Sequence, residues 1–403
     1  METPQALEGI RVVDLTQFIS GSRCTQLLAD MGAQVVHVEP PGGQTLRLIF
    51  SLIPGAERNF SIFNRNKYGL ALDWRKPKGR HIIERLAASA DIFVHNLVPG
   101  TLDTYGLGYG DLVRIKPDII YAAISGFGAQ GVNPGRSAFD IIAQATSGQF
   151  WNELDDLKPP ANYWADLVSG AYGANAVLIA LVHRLRSGEG QFIDISMQDV
   201  LYSNNYRAMV NRCMAPVMSD VVERLGREPS DVLNSGDRMP FYGFFKAQKG
   251  KVAIVAITSR QWRSLAEVVG APELVQDERF SSLIAQIHHH EEAVRLIESW
   301  TIRRDAGDIL RLLDGANIPC GIAYDIDQVN EDPNLASRGM FASADHSVFG
   351  ELALPGIPYH FSRTPGRISM AGPSLGEHNE HILREWLGYG DEEIASLRTE
   401  RVI

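Results

Sequence analysis

Between Ile10 and Val38 the chain reads strand, helix, strand, and no other feature restricts its fold so strongly. Ile10–Leu15 is a β-rich apolar run, the mark of a buried strand. The loop Thr16–Gly21 follows. Cys24, Leu27, Leu28 and Met31 then fall at i, i+3, i+4 and i+7, an amphipathic helix closed by Gly32. Gln34–Val38 is a second strand. A helix between two strands is the crossover that parallel pairing requires, so a βαβ unit and a parallel sheet are expected. The unit lacks G-x-G-x-x-G, so a dinucleotide site is not indicated. Ligands of open α/β sheets still bind outside the carboxyl ends of the strands. Thr16–Ser22 and Glu39–Gly43 therefore stand at the expected mouth of a site.

The alternation continues. Pro77 opens a helix carrying Ile82, Ile83, Leu86 and Ala87, and Asp91–His95 is a strand ending in the turn Asn96–Gly100. Ile119–Ile124 is another strand, followed by Ser125–Gly128 and a helix over Phe139–Ser147. The glycines of Gly106–Gly110 follow no strand and read as a turn. A long helical pattern starts near Asp166, where Leu167, Ala171, Ala174, Val177, Leu178, Leu181 and Leu185 are expected to face a core. Arg184 and Arg186 suit its C-terminal dipole, Gly188 and Gly190 stop it, and Gln191–Ser196 is a strand. Asp166 sits at or near the N-cap. Two readings stay open: a cap, for which Asp is a favoured residue, or a nucleophile held on a rigid helix end.

After Val200 the texture changes. Leu201–Leu225 is helical but irregular, and a smaller α+β domain is expected over Val222–Ile326. It holds a hairpin at Gly243–Lys251, a strand at Val252–Ile257 and helices at Gln261–Val269, Ala293–Trp300 and Ala306–Leu313. His288, His289 and His290 are adjacent on a helix, point in different directions and do not share an ion. At 403 residues two domains are expected. The expected division is 1–200 with 331–403 as the large domain, 201–221 as linker and 222–330 as the small domain. A net charge of −10 argues against nucleic acid or an anionic membrane as partner. No uninterrupted apolar run reaches the length of a membrane span, and no basic-then-apolar N-terminal signal is seen. Cys24, Cys213 and Cys320 are far apart and read as reduced, buried thiols of a cytoplasmic protein. Basic residues gather at Arg65, Lys67, Arg75, Lys76, Lys78 and Arg80, either a solvated face or a phosphate site.

The ordered segments Leu7–Thr16, Leu27–Ala33, Val38–Gly43, Asn64–Lys67 and Leu70–Asp73 resemble the class III CoA-transferases. So do Asn96, Pro99–Leu102, Ile124–Gly128, Phe139–Ala145, Ala165–Asp166 and Gly188–Gln191. Asp332-Pro333, Arg338–Phe341 and Leu375–His378 extend the match towards the C-terminus. That family includes carnitine and formyl-CoA transferases and α-methylacyl-CoA racemases. The resemblance is weakest over Val222–Ile326.

The resemblance implies a Rossmann-like large domain with a parallel sheet, a smaller α+β domain and two chains interlocked as rings in a homodimer. It places the family's catalytic aspartate on Asp166. It implies transfer of CoA from an acyl-CoA to a carboxylic acid acceptor through an aspartyl-CoA anhydride or thioester, with no permanently bound cofactor. A helix N-terminus is expected to keep Asp166 ionised. CoA is expected near Ile19, Ser20, His37, Pro40, Leu72, Asp73, Arg75, Asn96, Leu97, Arg136 and Asp140. The chain departs from the family at His37, Val98 and Thr104, where basic residues are usual, and at Ser22, where proline is. Arg65, Arg75, Lys76 or Arg136 are the candidates to replace the lost charges. The glycine-rich loop of formyl-CoA transferases is absent, which makes oxalate a poor substrate candidate. The histidine of racemising relatives is replaced by Phe139. Racemisation of a 2-methylacyl-CoA, transfer within one acid, and CoA-ester binding without turnover are the alternatives.

Overall fold

The computed structural model describes residues 4–51, 53, 55–150, 157–217, 220 and 241–403. Among these, one compact unit is drawn from Met1–Tyr206 and Pro333–Ile403, and a second from Arg207–Asp332. Part of the expected 201–221 linker, and residues 222–240 of the expected small domain, lie outside the described residues.

The first unit is built on a six-stranded sheet. Its strands are β1 (Arg11–Leu15), β2 (Gln34–Glu39), β3 (Lys67–Ala71), β4 (Ile92–His95), β5 (Ile120–Ser125) and β6 (Gln191–Ser196). Their order is β3-β2-β1-β4-β5-β6, and every pairing is parallel. The helix crossover at Ser20–Ala29 predicts this, since it returns the chain in the same direction. β1 pairs with β2 on one side and β4 on the other, so the order reverses there and leaves a crevice at their carboxyl ends.

Both faces of the sheet are covered, which is why its strands read as continuous apolar runs. One core holds Val12, Val35, Ile92, Ile120 and Ile195 against α1 (Ser20–Ala29) and the helix that begins near Asp166. The other holds Val13, Val36, Leu70, Phe93 and Tyr121, with Ile82, Ile83 and Leu86 of α2 (Pro77–Ser89), Leu112 of α3 (Tyr109–Ile115) and the C-terminal Ile394 and Leu397. α4 (Asp140–Thr146) precedes the long helix α5 (Trp164–Ser187). The edge of β3 is closed by the C-terminal segment: Asn379 Oδ1 accepts the Ala71 N–H at 2.8 Å, and His378 Nδ1 accepts that of Gly69 at 3.1 Å.

The buried face of α5 differs from the expected one. Ala165, Ser169, Gly170, Gly173, Ala174, Val177, Ala180 and Leu181 face inward. Ala171, Leu178 and Leu185 face outward. The reason is close approach. A Cβ on Gly170 would lie 2.5 Å from the Ser20 carbonyl oxygen, and one on Gly173 would lie 2.9 Å from Ile124 Cδ1. Small residues, rather than leucines, therefore meet α1. α5 is also long and apolar enough, by length and composition, to cross a membrane, contrary to the expectation from uninterrupted runs, because its leucines, valines, isoleucine and alanines outweigh the few polar residues among them. Its small-residue face is packed in the core of this unit.

The second unit has β7 (Tyr242–Lys246), β8 (Lys251–Val255) and β9 (Cys320–Ile322) in one antiparallel sheet. Trp262 and Leu265 of α6 (Ser259–Val269), Ile297 of α7 (His290–Thr301) and Ile309 of α8 (Ala306–Gly315) share a core with Phe245 and Ile254. Among the described residues no group of side chains has metal-binding spacing. Only Cys24 of the three thiols is buried; Cys213 is exposed, on a helix with no buried face, and Cys320 is half-buried.

Candidate active site

The site is set by how the chain leaves β1. Thr16–Ile19 turns back over the strand ends and enters α1 at Ser20. Phe18 takes φ of 57°, the left-handed region, which is unfavourable for a bulky residue and needs outside support. Asn96, just past β4, supplies much of it. Its Oδ1 accepts the Gln17 N–H at 2.7 Å, and its Nδ2 donates to the Gln17 carbonyl at 2.6 Å and to Ser20 Oγ at 3.2 Å. Gln44 Oε1 accepts the Phe18 N–H at 3.3 Å. Gly21 has to be glycine, since a Cβ there would come within 2.4 Å of the Thr16 side chain.

Asp166 is the third residue of α5, not its N-cap; Tyr163 is the cap and its side chain makes no capping bond. The capping role falls to Asp140, the first residue of α4. Its Oδ1 accepts the Asp166 N–H at 3.1 Å, and its Oδ2 accepts from Gln144 Nε2 at 2.6 Å. Gln144 also donates to the Asn162 carbonyl at 3.0 Å, which ties α4 to the entry of α5.

Two carboxylates therefore meet at one helix end. Burial first, and the Asp140 charge second, push the Asp166 carboxyl up from 3.8 to about 7. Hydrogen bonds from the Ser20 side chain and backbone oppose the rise. This runs against the expectation that a helix N-terminus keeps Asp166 ionised at neutral pH: desolvation and a like charge outweigh the dipole. Ser20 opens α1, and the first N–H to bond back into that helix is Arg23, to Ile19 at 2.7 Å. The N–H groups before it have no partner within the helix, and that of Ser20 is directed at the Asp166 carboxylate. The arrangement holds a carboxylate of shifted proton affinity beside helix-end donors, the equipment for attack on an acyl carbon and for stabilising the oxyanion that follows.

The family model for CoA-transferase family III matches residues 7–379. The chain belongs to family III of the CoA-transferases. It is 29% identical to human succinyl-CoA:glutarate CoA-transferase, over 100% of this chain and 91% of the relative. It is 31% identical to formyl-CoA:oxalate CoA-transferase of Streptomyces coelicolor, over 100% of both chains. Among solved structures, Rv3272 from Mycobacterium tuberculosis superposes with TM-score 0.80 at 25% identity, covering 95% of this chain and 100% of that one. A CaiB/BaiF family protein from Brucella suis gives 0.77 at 28% identity, with 95% and 100% covered. Enzymes of this family use CoA thioesters as substrates.

The residues expected around CoA fall in several places. Ile19, Ser20, Asn96, Asp140 and Asp166 converge at the crevice between β1 and β4. Leu97 is half-buried beside them and lines a cavity of about 330 Å³ with His95, Tyr109, Tyr121, Ser125 and Phe192. Pro40, Asp73 and Arg75 lie past β2 and β3, on the other side of β1. Arg136 lies past β5, exposed, with its guanidinium 4.7 Å from the Phe127 ring centre. Arg75 is exposed beside Trp74. Two expected contacts are corrected: His37 and Leu72 are fully buried and offer a ligand no side-chain surface.

The basic cluster is also dispersed by the fold. Arg65 is buried and spent on Asp30 and the Pro355 carbonyl, and Lys67 is buried against Asp14. Lys76 and Lys78 reach the C-terminal Glu400 and Arg401. Of the four candidates to replace the missing family charges, Arg75 and Arg136 remain at the surface. Sequence reasoning gave no role to Gln44 or Gln144: the Gln44–Phe18 and Gln144–Asn162 contacts are distant in sequence, although Gln144 also bonds Asp140 four residues before it. The matched segment Val38–Gly43 stops one residue short of Gln44.

Proposed function

We propose that Asp166 is the covalent nucleophile of an intermolecular CoA transfer between two carboxylic acids. The observation that carries this is the Asp166 carboxyl, raised towards neutrality and hydrogen-bonded by Ser20 at the opening of α1. An Asp166 oxygen attacks the thioester carbonyl; the C–S bond breaks, CoA leaves as thiolate and an acyl-aspartyl anhydride remains. The thiolate attacks the Asp166 carbonyl carbon, releasing the donor acid as carboxylate and leaving an aspartyl-CoA thioester. The acceptor carboxylate then attacks that thioester, and the returning thiolate attacks the acceptor's acyl carbon, restoring Asp166. Atoms and charges balance without a cofactor. The Ser20 N–H, bonded to the Asp166 carboxylate, would serve the oxyanion that forms on the Asp166 carbonyl carbon.

CoA would lie across the strand ends, from Pro40, Asp73 and Arg75 past Asn96 and Leu97 to Ser20, with Arg136 beyond β5. β3 and β5 are four sheet spacings apart, roughly 19 Å, so an extended ligand is required to touch both. The relatives named for succinate, glutarate and oxalate point to dicarboxylic acids as the substrate class. Phe139 carries no transferable proton and packs edge-on against Phe18 at 5.3 Å, which disfavours racemisation. The larger unit would bind CoA, and the active form would be an interlocked homodimer in the cytoplasm.

The test is chemical trapping. Incubation with succinyl-CoA, a quench with hydroxylamine or borohydride, and peptide mapping should place the label on Asp166. Asp166→Asn should fold and lose transfer by roughly 10²-fold or more, since an amide is a poor nucleophile. A label on another residue, or near-normal turnover by the folded variant, would remove the assignment.

A further inference from the structure

Asp14, at the end of β1, carries a buried network that the transfer steps leave unused. Its Oδ1 accepts the Thr16 N–H at 3.0 Å and the Thr16 hydroxyl at 2.6 Å. Its Oδ2 accepts from Thr25 Oγ1 at 2.6 Å, His37 Nδ1 at 2.9 Å and Lys67 Nζ at 3.0 Å. Burial opposes the charge on Asp14, but the Lys67 charge and these hydrogen bonds, that of His37 among them, outweigh it and hold the carboxyl well below its ordinary range. Burial also draws the Lys67 ammonium down, against the pull of Asp14. Geometry decides for the ion pair. Lys67 Nζ has three acceptors, Asp14, the Ser22 carbonyl and Asn64 Oδ1 at 2.8–3.0 Å, one for each ammonium proton.

An ionised Asp14 only accepts, so His37 carries its proton on Nδ1. Its other nitrogen, Nε2, lies 3.0 Å from Gln44 Nε2. The Phe18 N–H only donates, so the Gln44 oxygen must face it. The Gln44 amide nitrogen then faces His37 Nε2, which must be unprotonated to accept. Both ends of the chain thus fix the same tautomer and the same amide orientation. Gln44 is itself held: its N–H donates to Glu39 Oε2 at 3.3 Å, and Glu39 is clamped by Arg47 at 2.7 and 2.8 Å. The network runs from Lys67 through Asp14, His37 and Gln44 to Phe18, two residues before Ser20.

We propose that Gln44, oriented by His37, is a positioning residue for CoA transfer: it holds the left-handed Phe18 backbone so that Ser20 meets the Asp166 carboxylate. This rests on the reading of Asp166 as the nucleophile. Gln44 touches neither Asp166 nor the reacting atoms.

The experiment compares Gln44→Met, which keeps the chain length and loses both bonds, with Gln44→Glu. The glutamate retains an acceptor for Phe18 and can hold His37 through a second imidazole proton. Gln44→Met should lower kcat by about 10- to 100-fold, the scale of a misplaced catalytic group, with the KM for succinyl-CoA near wild type. The acidic limb of its kcat/KM profile should move to higher pH, because Ser20 would stabilise ionised Asp166 less. Gln44→Glu should restore most of kcat. A folded Gln44→Met enzyme with wild-type kcat and acidic limb would overturn the proposal. So would equal losses in both variants that follow a shared fall in Tm, the mark of a merely structural residue. Trapping on the wild-type enzyme separates the two failures: if its label lies away from Asp166, the nucleophile assignment fails and the role of Gln44 falls with it.

Discussion

A single pair of carboxyls decides the pH behaviour expected of this enzyme. On the proposed mechanism attack requires ionised Asp166, so kcat/KM should rise through an apparent pKa of about 7 and level off above it. Asp140→Asn removes the like charge yet keeps an oxygen for the Asp166 N–H. The acidic limb should therefore move to lower pH, and a pH–rate profile of the variant checks it. One hydrogen bond, to Gln144 or to Asp166, is weakened, at roughly 0.5–1.5 kcal/mol of stability. Stability follows the same group. The folded carboxyl titrates above the ordinary 3.8, so its contribution is full below that value and is lost as pH rises through about 7. Asp166→Asn should match wild type in acid and gain in relative stability between pH 4 and 8. Urea melts across that range would show no such gain if the Asp166 carboxyl were not raised.

The decisive element is the α1–α5 pair. α1 brings Ser20 to the site, α5 brings Asp166, and glycines set the distance between them. A methyl group at Gly170 would stand 2.5 Å from the Ser20 carbonyl oxygen and 2.7 Å from Arg23 Cβ, so the backbone has to move. Gly170→Ala should cost roughly 1–3 kcal/mol by overpacking and should also separate Ser20 from Asp166. Denaturant melts and kcat should fall together. Gly188→Ala is a control at the far end of the same helix. Its φ is 77° and nothing lies within 4 Å of its Cβ position, so stability should fall with kcat kept. A Gly170→Ala enzyme of wild-type stability would show that the two helices can part at no cost.

The whole molecule leaves apolar surface uncovered in a single chain. On α5, Ile179 is 63% exposed and Leu185 is 75% exposed, with Leu178 and Val182 beside them. Contiguous apolar surface of this kind marks an interface. An interlocked homodimer would bury such surface, and interlocked chains separate only on unfolding. Sedimentation at micromolar concentration should show dimers alone up to the denaturant midpoint. A folded monomer under native conditions would contradict the proposed interlocked dimer, for which Ile179→Asp should reduce the yield.

Most of the large unit could be read from the chain. Strand–helix alternation is a local property, because period-two and period-3.6 patterns are written over a few residues. Five of the six strands and their parallel sense follow from it, and so does the expectation of a site at their carboxyl ends; β3 escaped it, because Lys67 and Gly69 interrupt its short apolar pattern. Asp166 could be singled out by its position before a patterned helix and by the resemblance of its neighbours to a family. What the tertiary structure decided were matters of distance and dielectric. Sequence pattern put leucines on the inner face of α5, but close approach to α1 selected the glycines. Asp166 looked like a cap; the cap came from Asp140, whose distance in space no local pattern encodes. Arg65, Lys67 and His37 looked like surface or ligand-binding charge. The fold buried them with Asp30 and Asp14, since a buried charge persists only beside its partner, and partners meet only when the chain has folded.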